Sequence, residues 1–116
     1  MIIYNKKMIP KGYNGITLGW VIFIDPKYKN DPDLIAHENV HVSQFNRYHV
    51  MFWWRYLTSK RWRKRLESEA YAAEVKLRYT PYEQKKELFK NAEILAKKYR
   101  LNISIEEAII AIENYL

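Results

Sequence analysis

The sequence predicts an α+β domain: a short β element at the N-terminus, packed on helices that make up the rest of the chain. Three observations predict it. Ile16-Thr17-Leu18-Gly19-Trp20-Val21-Ile22-Phe23-Ile24 is dense in β-branched and aromatic side chains and stops at the turn pair Asp25-Pro26. From Leu34 onward apolar residues recur at helical spacing. Helix-start signatures stand at Asp31-Pro32-Asp33, at Thr80 with Glu83 and at Ser104 with Glu107. At 116 residues the chain has room for one domain. It divides into a β element (1–30), central helices (31–79) and C-terminal helices (81–116).

Taken in order, residues 16–24 read as one strand, with a second at 2–4. Asp31 is placed to cap a helix whose first position is Pro32. On that helix His37, His41, Gln44 and Tyr48 share one face, and Leu34, Ile35, Val42 and Phe45 supply apolar contacts beside it. The aromatic stretch 48–58 reads as helix, interrupted at Thr58-Ser59. A strong helix follows from about residue 62 to 79, ended by Thr80-Pro81 because the residue before proline avoids the helical region. The two capping boxes then predict helices at 81–99 and 105–115.

Composition narrows the function. The chain has no cysteine, which excludes a disulfide framework, Cys-ligated zinc, iron–sulfur clusters and a thiol nucleophile. Its 48% hydrophobic content exceeds that of a disordered chain. The net charge of +7 permits an anionic partner without naming one. No secretory signal is recognisable, and the run Val50-Met51-Phe52-Trp53-Trp54, stopped by Arg55, is too short to span a bilayer. The expected compartment is the cytoplasm, and this aromatic run can still rest on a membrane surface.

His37-Glu38-Asn39-Val40-His41 is an HExxH motif on the helix predicted from the Asp31 cap. Histidines four apart project from one face, one turn apart, and can bind a single Zn²⁺. Glu38 stands about 100° round the helix, beside the metal, in position for general acid–base work on water. A catalytic zinc has three protein ligands and an open position. His49 is the only other histidine and reaches the metal only if the helix breaks before it. The metzincin spacing is excluded, since Gln44 and Arg47 stand where glycine and the third histidine would be. Glu67 and Glu69 lie on the next strong helix on nearly opposite faces, with Tyr71 and Glu74 sharing the face of Glu67.

At these residues the chain resembles the gluzincin metallopeptidases, in which a glutamate helix follows the HExxH helix. The resemblance covers residues 16–79 and rests on HENVHVSQ at 37–44 and ESEAY at 67–71. In size it is similar to the minigluzincins, minimal relatives of the catalytic domains of membrane peptidases. The resemblance implies one zinc per chain held by His37, His41 and Glu67, with Glu38 as general base and a peptide or protein as substrate. It implies that Tyr71 occupies the place of an aspartate that accepts a hydrogen bond from a zinc-bound histidine. It also implies an edge strand, centred on Leu18, Gly19, Trp20 and Val21, that pairs with extended substrate, and a C-terminal segment that is either scaffold or a latency plug over the cleft. Tyr48, His49, Arg55 and Tyr71 are the candidates to stabilise a developing oxyanion.

Two other readings compete. With a weakened site at Tyr71, the domain is a zinc-binding interaction module without turnover. Alternatively, the basic aromatic segment from Trp53 to Arg65 binds single-stranded nucleic acid by stacking and phosphate contacts.

Overall fold

In a computed structural model covering residues 1–116, the β element is a three-stranded sheet, β1 (Ile2–Tyr4), β2 (Gly15–Leu18) and β3 (Val21–Ile24). The strand order is β1-β3-β2, with β3 parallel to β1 and antiparallel to β2. Residues 16–24 are therefore a hairpin rather than one strand. Gly19, at φ +66°, opens the two-residue loop Gly19-Trp20, and Leu18 pairs with Val21 across it. This corrects the expected substrate edge as well. Gly19 and Trp20 form the turn, Val21 belongs to the central strand, and of the four only Leu18 lies on the edge strand β2.

β2 lies close against the helix α1 (Pro32–Tyr48). A side chain at Gly15 would place its Cβ 3.2 Å from Leu34 Cδ1 and 3.3 Å from the Phe23 carbonyl oxygen, so glycine is what lets strand and helix approach. Asp31 caps α1 by accepting from the amides of Asp33 and Leu34, with Pro32 in the first turn, as the sequence predicts. α1 ends at His49, a non-glycine residue at φ +51°, where the chain turns into α2 (Val50–Thr58).

Ser59 caps α3 (Lys60–Lys76) by accepting from the Trp62 amide, which starts this helix two residues ahead of the expected position. Thr80 caps α4 (Pro81–Lys98) and Ser104 caps α5 (Ile105–Glu113), through the amides of Glu83 and Glu107. α1 and α3 pair extensively, and α4 and α5 pack on the side of α3. No helix is long and apolar enough to cross a membrane.

The main apolar core joins α3, α4 and α5 through Tyr71, Ala72, Val75, Leu88, Ala92, Leu95, Tyr99, Leu101, Ala108 and Ile112. A second buried patch, Ile22 and Ile24, seats the sheet. In the C-terminal region α5 takes part in this packing, with Ala108, Ala111 and Ile112 buried. No residue of α5 lines the cleft beside the histidines, to which this region contributes only Tyr99. Ile112→Ala should therefore lower the unfolding free energy by about 2–5 kcal/mol, the usual cost of emptying such a site. Urea titration followed by circular dichroism reads this, and a loss below about 1 kcal/mol would mean that α5 sits outside the cooperative core.

Candidate metal centre

His37, Glu38, His41 and Gln44 are all buried, the two histidines and Gln44 against α3 and Glu38 against β2. A helix that buries four polar side chains must give each a partner. His37 Nε2 lies 3.1 Å and His41 Nε2 3.2 Å from the same atom, Glu67 Oε1, and all three residues are more than nine-tenths buried. Glu67, seven residues into α3, is thus the carboxylate that faces the histidines.

The far nitrogens fix the rings. Gln44 donates its amide hydrogens to the Leu66 carbonyl, at 2.8 Å, and to Glu69 Oε1, at 2.9 Å, so its Oε1 is the acceptor for His41 Nδ1 at 2.9 Å. His37 Nδ1 hydrogen-bonds to Glu74 Oε2 at 2.8 Å. With Nδ1 of each ring donating, both Nε2 atoms turn their lone pairs toward Glu67. Three lone-pair atoms meeting in a buried space require positive charge between them. Protons supply it in the metal-free protein. Burial pulls His37 down, yet its bonds to Glu67 and Glu74 prevail and lift it to about 10. Burial also pulls His41 down, but the Glu67 charge raises it overall. Burial alone would raise Glu67, whereas the charge of His41 and the hydrogen bonds of both rings hold it well below the carboxylate range. The Glu74 carboxyl is itself lifted, by burial first, against the pull of His37.

The same three atoms suit a zinc ion. Zinc–ligand bonds of about 2.0–2.1 Å at tetrahedral angles separate neighbouring donors by roughly 3.3 Å. The nitrogen-to-oxygen distances of 3.1 and 3.2 Å are close to that edge, and the donor set of two neutral imidazoles and one carboxylate is one that zinc accepts. The remaining Glu67 oxygen, Oε2, accepts a 2.6 Å hydrogen bond from Tyr56 of α2. Burial first, and then the Glu67 carboxylate, raise the Tyr56 phenol far above its usual range, so it stays a donor and commits Glu67 to presenting one oxygen.

Glu38 lines the same cleft as His37, His41 and Glu67, and Thr17 of β2 donates to its Oε2 at 2.7 Å. The cleft holds about 260 Å³ and is walled by Pro10, Tyr13, Phe52, Trp53 and Leu57, with Gly15, Ile16 and Thr17 along the β2 side. These strand residues, rather than 18–21, are the part of the sheet that borders the site.

The other expectations fall differently. Tyr71 does not take the place of a histidine acceptor: its hydroxyl pairs with that of Tyr99 at 2.7 Å, and its ring packs edge-on against His37 with centroids 4.4 Å apart. A tyrosine one turn after Glu67 is too long to end at Nδ1, and Glu74, one turn further, reaches it instead. Glu69 serves as a tie, accepting from Gln44 and from Arg47 at 2.6 Å. The helix does break at His49, but the break turns the imidazole outward beside Phe45, away from His37, His41 and Glu67. Tyr48 and Arg55 pack around Trp62, remote from the cleft lining.

Thr17, Tyr56 and Tyr99 are site residues that sequence reading misses, because they arrive from other elements and leave no spacing signal. Glu74 had one, being seven residues from Glu67 on the same face. A further acidic group, Asp33, Glu74 and Glu87, is bound up with Arg78, which pairs with Asp33 through both guanidinium nitrogens and with Glu87 at 3.0 Å. No protein family, curated protein or solved structure matches the chain.

Losing the acceptor behind His37 should weaken zinc binding by about 10–100-fold. Glu74→Ala is expected to show this in competition with a chromophoric chelator, while Glu74→Gln, which keeps an acceptor oxygen, stays close to wild type. Equal affinities for both variants would remove Glu74 from the centre.

Proposed function

We propose that the protein is a zinc-dependent peptidase of the gluzincin type. The observation that carries this reading is the convergence of His37 Nε2, His41 Nε2 and Glu67 Oε1 beside a buried glutamate that is not part of the cluster. His37, His41 and Glu67 would hold the zinc, which when bound acidifies a water and polarises a carbonyl.

The chain's own groups divide the remaining work. Thr17 occupies Glu38 Oε2, leaving Oε1 to take a proton from the attacking water and to return it to the departing amine. Glu74 and Gln44 hold the two imidazoles in the tautomer that offers Nε2. Tyr56 keeps Glu67 from swinging both oxygens inward. The edge of β2 at Gly15–Thr17 offers main-chain groups to an extended peptide, a mode of binding that asks little of its sequence. Phenols that line the cleft, Tyr13 and Tyr99, replace Tyr48, His49 and Arg55 as the groups to test for oxyanion stabilisation.

Glu38→Gln separates the chemistry from the metal. The variant should retain one zinc per chain by elemental analysis while cleavage of a fluorogenic peptide mixture falls by about 10²–10⁴-fold. Zinc in both proteins with no cleavage by the wild type would instead favour a zinc-binding interaction domain. A zinc-free wild type after reconstitution would retire both readings.

A further inference from the structure

The helix α2 is amphipathic in the wrong sense for a helix that rests on a core. On a helical wheel Val50, Trp54 and Leu57 fall within about 60° of one another, and these are its most exposed apolar residues: Val50 is 75%, Trp54 66% and Leu57 70% accessible. Met51 and Trp53 flank them, partly exposed. Phe52, on the opposite side, is 4% accessible and is the one buried residue of the helix. A nine-residue helix has thus placed most of its apolar surface toward solvent. Contiguous exposed apolar surface of this kind marks a contact face.

Charge identifies the partner. Residues 39–66 contain seven Lys and Arg, namely Arg47, Arg55, Lys60, Arg61, Arg63, Lys64 and Arg65, and no Asp or Glu, while the rest of the chain is balanced. The entire +7 excess therefore sits on the segment that carries the apolar face. Lys60 and Arg61 open α3 immediately after α2, and no carboxylate pairs with either. Tryptophan and aliphatic side chains followed directly in the chain by unpaired cations fit the boundary of an anionic bilayer, where the apolar face enters the acyl region and the cations meet headgroups. A single strand of nucleic acid would need open aromatic faces instead. Trp62 is already covered by Arg55, 4.1 Å from its ring centre, and by Arg65 and Tyr48, which leaves Trp54 as the one widely exposed ring of α2, beside the aliphatic Val50 and Leu57, which have nothing to stack.

We propose that the outer face of α2, with the start of α3, docks the protein on an anionic lipid surface. Trp53 and Leu57 also line the cleft, so docking sets the mouth of the cleft at the lipid boundary. The inference does not depend on the peptidase reading, because binding is measured without turnover.

The test is co-sedimentation of the full chain with phosphatidylcholine vesicles, with and without phosphatidylglycerol. The wild type should pellet with the mixed vesicles, weakly or not at all with phosphatidylcholine alone, and less as salt rises. Trp54→Ser with Leu57→Ser should reduce partitioning by at least about tenfold, and Lys60→Glu with Arg61→Glu should act in the same direction. All four positions are exposed, and an unchanged thermal melt confirms that the variants fold. Wild type that stays in solution, or variants that pellet as it does, would overturn the proposal. So would a concentration-dependent dimer, abolished by the Trp54 and Leu57 changes, in a protein that ignores vesicles. Binding to oligothymidylate that survives those changes, without vesicle binding, would overturn it in favour of nucleic acid.

Discussion

The buried carboxylate of Glu67 is the constraint on which the centre of this molecule is organised. An ionised carboxylate removed from water is costly unless its lone pairs are met. Here one oxygen faces two imidazoles and the other accepts a hydrogen bond from a phenol. Those partners come from α1 and α2, so satisfying one side chain of α3 fixes the mutual position of three helices. The outer bonds of the imidazoles extend the same demand to Glu74 and Gln44, and through Gln44 to Glu69 and Arg47. A network of this kind, complete at each member, specifies one packing of α1 on α3 more sharply than apolar contact would.

The apolar core lies behind this network rather than around it. Tyr71 belongs to both, with its ring on His37 and its hydroxyl on Tyr99, within the cluster that α4 and α5 complete. The C-terminal helices thus support the polar site from the rear. The sheet adds one functional contact from the front, the Thr17 hydroxyl on Glu38, which Gly15 makes possible by letting β2 approach α1 closely.

What was legible in the sequence follows from the range over which each signal acts. Helix starts are set by local chemistry, so Asp31, Thr80 and Ser104 could be read directly, whereas Ser59 reads only as a break because no acid three residues on completes a capping box. The face shared by His37, His41 and Gln44 follows from helical periodicity, and so does that of Glu67 and Glu74. The hairpin was written in Gly19, but an unbroken apolar run on both sides of it hid the turn. Contacts between elements carry no such mark. Nothing in the spacing of Tyr56 and Glu67 shows that α2 folds back over α3, and nothing near Thr17 shows that it meets Glu38. Tyr71 was misplaced for a related reason: a motif position gives the direction of a side chain, whereas its reach and partners depend on what stands around it.

The left-handed joint at His49 separates two regions of unequal anchorage. α1 and α3 are fastened by buried polar bonds and backed by the core, whereas α2 is held by Phe52, by Tyr56 and by the half-buried flanks of Trp53 and Arg55. Opening free energies in a fold follow such differences. The wall formed by α2 is thus the less deeply buried side of the cleft, tied to α3 by the Tyr56 hydroxyl on Glu67 and by Arg63 on the Tyr56 carbonyl. The cleft is accordingly bounded by unequal walls, one set deep between helices joined by buried polar bonds and one set at the surface by a helix that shows solvent most of its apolar side chains.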